Sequence, residues 1–172
     1  MRNTCAIFGC SPMCFPWGFD EEDERGAALK LILMNRISAL RSEGCSRFHI
    51  SMDCGAGLYA AEILHGLREN DNEIETVCHI PYDEQAVKWT PELRERYFNA
   101  LANCTRTEMI ARAKSVGCEY KAHLNAILNA DTVIAVYDPD NPRCEREAAA
   151  VTVAEMLNKQ TVVLDPKAIR LL

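Results

Sequence analysis

No stretch of this sequence approaches the roughly 18 consecutive apolar residues that a membrane-spanning helix requires. The apolar start, Met1 to Phe8, is too brief for a signal peptide. Neither membrane insertion nor secretion is therefore expected, and the chain reads as cytoplasmic. An excess of positive charge is lacking too. Nineteen Lys and Arg stand against 25 Asp and Glu, a formal net charge of −6. A nonspecific nucleic-acid binder shows a basic patch or stripe, so no nucleic-acid partner is expected. Also missing are a G-x-G-x-x-G fingerprint, a Walker loop, an H-E-x-x-H helix and any recognisable Ser-His-Asp set. No cofactor is expected. Internal repeats, low-complexity tracts and interdomain linkers are absent as well.

Cysteine is not scarce. There are nine, an odd number, without any paired C-x-x-C set of the zinc-ribbon kind. Most lie inside apolar runs: Cys5, Cys45, Cys54, Cys78, Cys104 and Cys118. Cys10 and Cys14 share one loop. The pattern suits reduced, buried thiols, with no disulfide and no bound metal. No histidine is placed beside Cys10 or Cys54 by sequence, so neither is assigned as a nucleophile.

The 172 residues are 48% hydrophobic and 26% charged, which one domain spanning 1–172 accommodates with a proper core. Strands are expected near residues 4–8, 48–52, 75–80, 132–137 and 161–164. Helical spacing runs through Leu29, Leu33, Ile37 and Leu40, with Gly44 as a stop. The acidic run Asp20 to Glu24 suits the N-terminus of that helix. Further helices follow Gly57, begin at Pro91 and run over 146–157. Residues 105–130 read as mostly helical with a break near Gly117. This alternation predicts an α/β, three-layer Rossmann-like domain, with a parallel sheet of about five strands flanked by helices. The first and fourth of those strands should be adjacent, and ligands should bind beyond the strands' carboxyl ends.

Four loops lie at those ends. The first offers Gly9, Ser11 and Trp17. In the second, Gly55 and Gly57 precede a helix, where a phosphate could approach the backbone; a tight strand-to-helix turn explains them equally. Glu62, one turn on, is placed to orient a ribose hydroxyl or a water, or merely to complement the helix dipole. In the third loop Gln85 and Trp89 are four apart, an amide and a stacking surface on one helix face, or simple packing residues. Asp138 and Arg143 belong to the fourth.

Taken together these loops resemble the YpsA-like family of uncharacterised bacterial proteins, within the Rossmann-like SLOG superfamily. The resemblance rests on Phe15-Pro16-Trp17-Gly18-Phe19-Asp20-Glu21-Glu22-Asp23 and on Met52-x-x-Gly55 with Ala60-Ala61-Glu62. It continues through Pro81 with Gln85 and Trp89, Arg96-Tyr97, and Ile134-Ala135-Val136-Tyr137-Asp138. It implies a nucleotide-derived ligand, nucleoside or ADP-ribose-like, and homo-oligomerisation. The departures fall where phosphate would be handled. The family's Thr-Gly-His-Arg-Pro reads Phe8-Gly9-Cys10-Ser11-Pro12 here. Its Gly-Met-Ala-x-Gly-x-Asp reads Ser51 to Gly57, and its Arg-Asn pair reads Ala122-His123. Its Gly-Gly-Thr turn is replaced by Asn141-Pro142-Arg143-Cys144-Glu145, in which Pro142 has no N–H and Glu145 repels an anion. The ligand-binding set is thus Gly9, Ser11, Trp17, Gly55, Gly57, Glu62, Gln85, Trp89, Asp138 and Arg143, with no catalytic residue assigned. A binding or sensor protein with degenerate phosphate loops leads. A phosphoribohydrolase-like hydrolase and a degenerate domain serving protein contact are the alternatives.

Overall fold

In the computed structural model, which describes residues 3–170, the apolar run of the first strand forms β1 (Asn3–Gly9), buried from Cys5 onward. Met1, Arg2, Leu171 and Leu172, part of the 1–172 reading, lie outside the described residues. Five more strands follow: β2 (Cys45–Ser51), β3 (Glu75–Tyr82), β4 (Arg106–Ala111), β5 (Thr132–Val136) and β6 (Gln160–Leu164). All pair in parallel, in the order β4-β3-β2-β1-β5-β6. Adjacency of β1 and β5 agrees with the expectation from crossover handedness.

Five helices cover the sheet: α1 (Glu24–Ser42), α2 (Ala56–Arg68), α3 (Pro91–Asn103), α4 (Cys118–Leu128) and α5 (Glu145–Met156). α1, α2 and α3 pack as one layer, and α4 and α5 form the other. The acidic run does cap α1: the Asp23 carboxylate accepts from the Arg25 backbone N–H at 2.9 Å. Gly44 follows the helix at φ +103, which a side chain would disfavour. The central strands are covered on both faces, so Ile7, Phe8, Phe48 and Ile50 are fully buried; β1 and β5 read as apolar runs, whereas β2 alternates Phe48 and Ile50 with polar residues.

The strand count is six rather than five. The sequence pattern assigns 105–130 to helix, but Arg106–Ala111 forms β4, and only the part after Gly117 is helical. β4 is an edge strand, bonded to β3 alone and half-exposed along its length, so nothing forces an apolar pattern on Arg106-Thr107-Glu108-Met109. Gly117 itself is left-handed, at φ +78, and starts α4.

Gly9 marks a close approach of β1, β5 and α2. A Cβ there would collide with the Val136 carbonyl oxygen and lie 2.6 Å from the Ala56 Cβ. Gly9→Ala is therefore expected to destabilise the fold by about 1–3 kcal/mol, the usual cost of overpacking a close-packed interior. Urea unfolding monitored by circular dichroism measures it, and an unchanged midpoint would contradict the packing described. All nine cysteines are free thiols in the structure. Thiol titration under denaturing, nonreducing conditions is expected to count all nine, and a count of seven or fewer would contradict this.

Candidate functional site

The reversal of strand order at β1 sends α1 and α5 to opposite faces and leaves a crevice beyond the strands' carboxyl ends. A cavity of about 250 Å³ lies there. Its walls come from the loops after β1, β2, β3 and β5 and from the first turns of α4 and α5.

In the second loop a carboxylate meets the start of α2. Asp53 turns its carboxylate back onto the start of α2, accepting from the Gly55 N–H at 2.7 Å and the Gly57 N–H at 3.0 Å. Free amides at a helix N-terminus are what an external phosphate would use. Here the chain supplies its own anion. Desolvation pushes the Asp53 carboxyl up to about 7, against the lowering effect of those two hydrogen bonds. Glu147 on α5 adds to the rise and Arg146 opposes it.

A hydrogen-bonded chain crosses the cleft floor. Ser51 ends β2, His123 comes from α4 and Glu147 from α5. Ser51 Oγ lies 2.7 Å from His123 Nδ1, and His123 Nε2 lies 3.0 Å from Glu147 Oε1. All three are buried, and His123 stacks on Phe8 at 4.8 Å between ring centroids. With Glu147 accepting from Nε2–H, Nδ1 is left to accept from the Ser51 hydroxyl. That order of groups polarises a hydroxyl for attack or passes a proton. The sequence reading finds no Ser-His-acid set because these residues stand 72 and 24 positions apart. Only the packing of α4 and α5 side by side joins them.

Three thiols meet at the same end of the sheet. The sulfur atoms of Cys10, Cys14 and Cys144 all lie within 4.8 Å of one another. Burial pushes the Cys144 thiol up to about 11. Burial and the neighbouring thiols push Cys10 higher still.

Of the residues singled out from sequence, Gly9, Ser11, Gln85, Trp89 and Arg143 line the cavity. Trp89 is half-buried, edge-on to Tyr97 at 5.1 Å. Gln85 is held in place, donating to the Met52 carbonyl at 2.7 Å and accepting from the Tyr97 hydroxyl at 3.4 Å. The other five are placed elsewhere. Trp17 is buried beneath Gly26 of α1 and packs on Phe15. Glu62 is paired with Arg96 through two hydrogen bonds of 2.7 and 3.1 Å. Arg96 in turn reaches Glu21 at 2.9 Å, so this acidic pair ties the first loop to α2 and α3. Gly55 and Gly57 are demanded by packing, against the Cys10 and Ser51 carbonyls respectively. Asp138 closes its own turn, accepting from the Asp140 N–H. Sequence reasoning missed Ser51, Asp53, His123 and Glu147 as a group. Asp53 and His123 did stand among the departures from the resemblance, though not as members of one group.

The family model described as the YspA SLOG family, YpsA, matches residues 6–166. The chain belongs to this family. It is similar to a UPF0398 protein of Bacillus licheniformis, 29% identical over 141 residues, which is 80% of this chain and 76% of that protein. It is also similar to a UPF0398 protein of Bacillus thuringiensis, 26% identical over 143 residues, 81% of this chain and 77% of that protein. In this YspA SLOG member the first amides of α2 are satisfied from within, by Asp53. Among the described residues no helix is long and apolar enough to cross a membrane.

Asp53→Ala is expected to free both amides and remove a like charge. Inorganic phosphate should then bind about tenfold or more tighter, since one charge-assisted hydrogen bond contributes roughly 1.5–3 kcal/mol. In the native chain phosphate should bind better as pH falls through about 7, where Asp53 takes up a proton. The variant should lose most of that dependence. Phosphate titrations at pH 6 and pH 8 give both results, and equal affinities for the two proteins would show that the carboxylate does not guard the helix.

Proposed function

We propose that the chain is a cytoplasmic binding or sensor protein for a nucleotide-derived small ligand, recognised mainly through its nucleoside part. The observation that carries this reading is the Asp53 carboxylate seated on the α2 amides beside an open cleft. A cleft of about 250 Å³ has room for a base and a sugar, while the helix terminus that would hold a phosphate is already satisfied. Trp89 offers an aromatic wall for a base. Ser11 and the Ser51 hydroxyl offer hydrogen bonds to a sugar. Arg143, exposed on the rim, supplies the remaining cationic contact for a phosphate. Nucleic acid and membrane are not among the partners proposed, and homo-oligomerisation is.

A second reading has its own observation. Ser51, His123 and Glu147 are arranged as a hydroxyl, a base and an orienting carboxylate at the cleft floor. Under that reading the same ligand class is cleaved, as a phosphoribohydrolase-like hydrolase would do.

Calorimetry with adenosine, AMP and ADP-ribose tests the binding reading. Adenosine and AMP should bind within about tenfold of one another. Trp89→Ala should cost roughly 1–3 kcal/mol, the usual worth of a base stacked on an aromatic ring. Glu62→Ala should leave affinity unchanged, because its carboxylate serves Arg96. Tight ADP-ribose binding that ignores Trp89→Ala would sink the nucleoside-centred reading, and so would silence from all three ligands. Release of free base from AMP, abolished by His123→Ala, would replace binding with catalysis.

A further inference from the structure

Two turns of the same kind face each other where β1 and β5 end. Pro12-Met13-Cys14 and Pro142-Arg143-Cys144 are each a single 3-10 turn opened by proline and closed by cysteine. Proline suits the first position because it needs no hydrogen bond for its nitrogen, and its fixed φ presets the turn. Each cysteine is fastened by its own backbone: Cys14 N–H donates to the Ser11 carbonyl at 3.0 Å, and Cys144 N–H to the Asn141 carbonyl at 2.9 Å. Cys10 stands between them, its N–H donating to the Val136 carbonyl of β5 at 2.9 Å. Three thiols on three anchored backbones thus converge, from loops that are distant in sequence and joined only by the β1–β5 pairing.

The spacing suits an ion. Zinc–thiolate bonds of about 2.3 Å in a tetrahedron put the sulfurs about 3.8 Å apart. The Cys10, Cys14 and Cys144 sulfurs lie within 4.8 Å, so side-chain rotations of about an ångström close the site. We propose that Cys10, Cys14 and Cys144 form a three-thiolate site for a thiophilic divalent cation, Zn²⁺, with its fourth coordination position open to the cleft. Three sulfur ligands select a soft, tetrahedral ion over magnesium or calcium, which take oxygen. Cys10 and Cys14 line the cavity, so the open position faces the ligand space. Three protein ligands with one exchangeable position is the pattern of zinc sites that engage a substrate or water.

On binding, the three thiols release their protons to solvent and three S–Zn bonds form, with no change of oxidation state. The dication and three thiolates sum to −1. Arg143 and Arg146 stand on the same rim, where they offset that charge. Its three sulfur ligands serve neither the nucleoside reading nor the hydrolytic reading, so the site stands or falls separately from both.

The test is direct metal titration of the full chain, first reduced and stripped of metal by a chelator. Cobalt should bind one ion per chain and give an intense thiolate-to-metal charge-transfer band with tetrahedral visible bands, which Zn²⁺ then bleaches. Cys14→Ser, at the half-exposed member of the trio, should weaken Zn²⁺ by more than about 100-fold, beyond the loss expected of a merely supporting residue. Cys144→Ser should do the same, and Cys78→Ser, in the core on the far side, should leave binding intact. Circular dichroism confirms that each variant is folded, and the cobalt spectrum of the unaltered chain decides the question without any variant. Absence of the charge-transfer band at one equivalent of cobalt would overturn the proposal. So would a band that persists in folded Cys14→Ser and Cys144→Ser.

Discussion

Where β1 ends, the Cys10 N–H is already bonded to the Val136 carbonyl of β5, and Gly9 leaves no room for a side chain between Val136 and Ala56. That contact holds together two strands that are far apart in sequence and whose chains then diverge. β1 runs into a loop leading to α1 on one face, and β5 into α5 on the other. The cleft is the space left by this divergence. Every group of chemical interest is measured from it: the thiols on the two diverging loops, Asp53 on the neighbouring loop, and the Ser51–His123–Glu147 chain beneath. A shift in the β1–β5 register would move all of them at once.

Within that frame the charges follow a consistent logic. A helix N-terminus at the bottom of a cleft attracts anions, and the chain has answered the attraction internally with Asp53. An internal carboxylate costs desolvation, which appears as the rise of its pKa toward neutrality. The cost is tolerated because two amides would otherwise be left without partners. The same exchange leaves those amides satisfied at the edge of a cleft whose remaining lining includes Trp89 and the Ser11 hydroxyl.

What could be read from sequence divides along physical lines. β1, β3 and β5 were legible because burial on both faces demands apolar runs such as Thr132 to Val136, and β2 because Phe48 and Ile50 alternate with polar residues. β4 was not, since an edge strand is free to be polar, and Arg106-Thr107-Glu108 carries no strand signal. Of the ten residues singled out for the site, five line the cavity. Gly9, Ser11, Gln85, Trp89 and Arg143 sit where loop position alone put them. Trp17 and Glu62 lie away from the cavity lining, since a tryptophan and a glutamate serve packing and ion pairs as readily as ligands, and the Glu62–Arg96–Glu21 link is invisible until α2, α3 and the first loop are in place. The hydrogen-bonded trio and the thiol trio were illegible for a related reason. Their members are joined by the sheet and by the packing of α4 on α5, and no local spacing announces them. One signal was nonetheless present: the pattern Pro-x-Cys occurs twice, after each of the two strands that crossover logic makes neighbours.

That repetition bears on how the two trios relate. Cysteines scattered by drift through a core have no reason to close two equivalent turns on the two loops that flank the strand-order reversal. Nor would drift place a serine, a histidine and a glutamate so that each satisfies the next below the same opening. A domain kept only for contact with another protein needs neither arrangement, and would do better to fill the cleft with apolar side chains than to maintain buried polar groups that must all be satisfied together. Asp53 on the α2 amides, the thiol trio and the Ser51–His123–Glu147 chain, gathered around one opening, therefore fit a site with a chemistry of its own more readily than one that was abandoned.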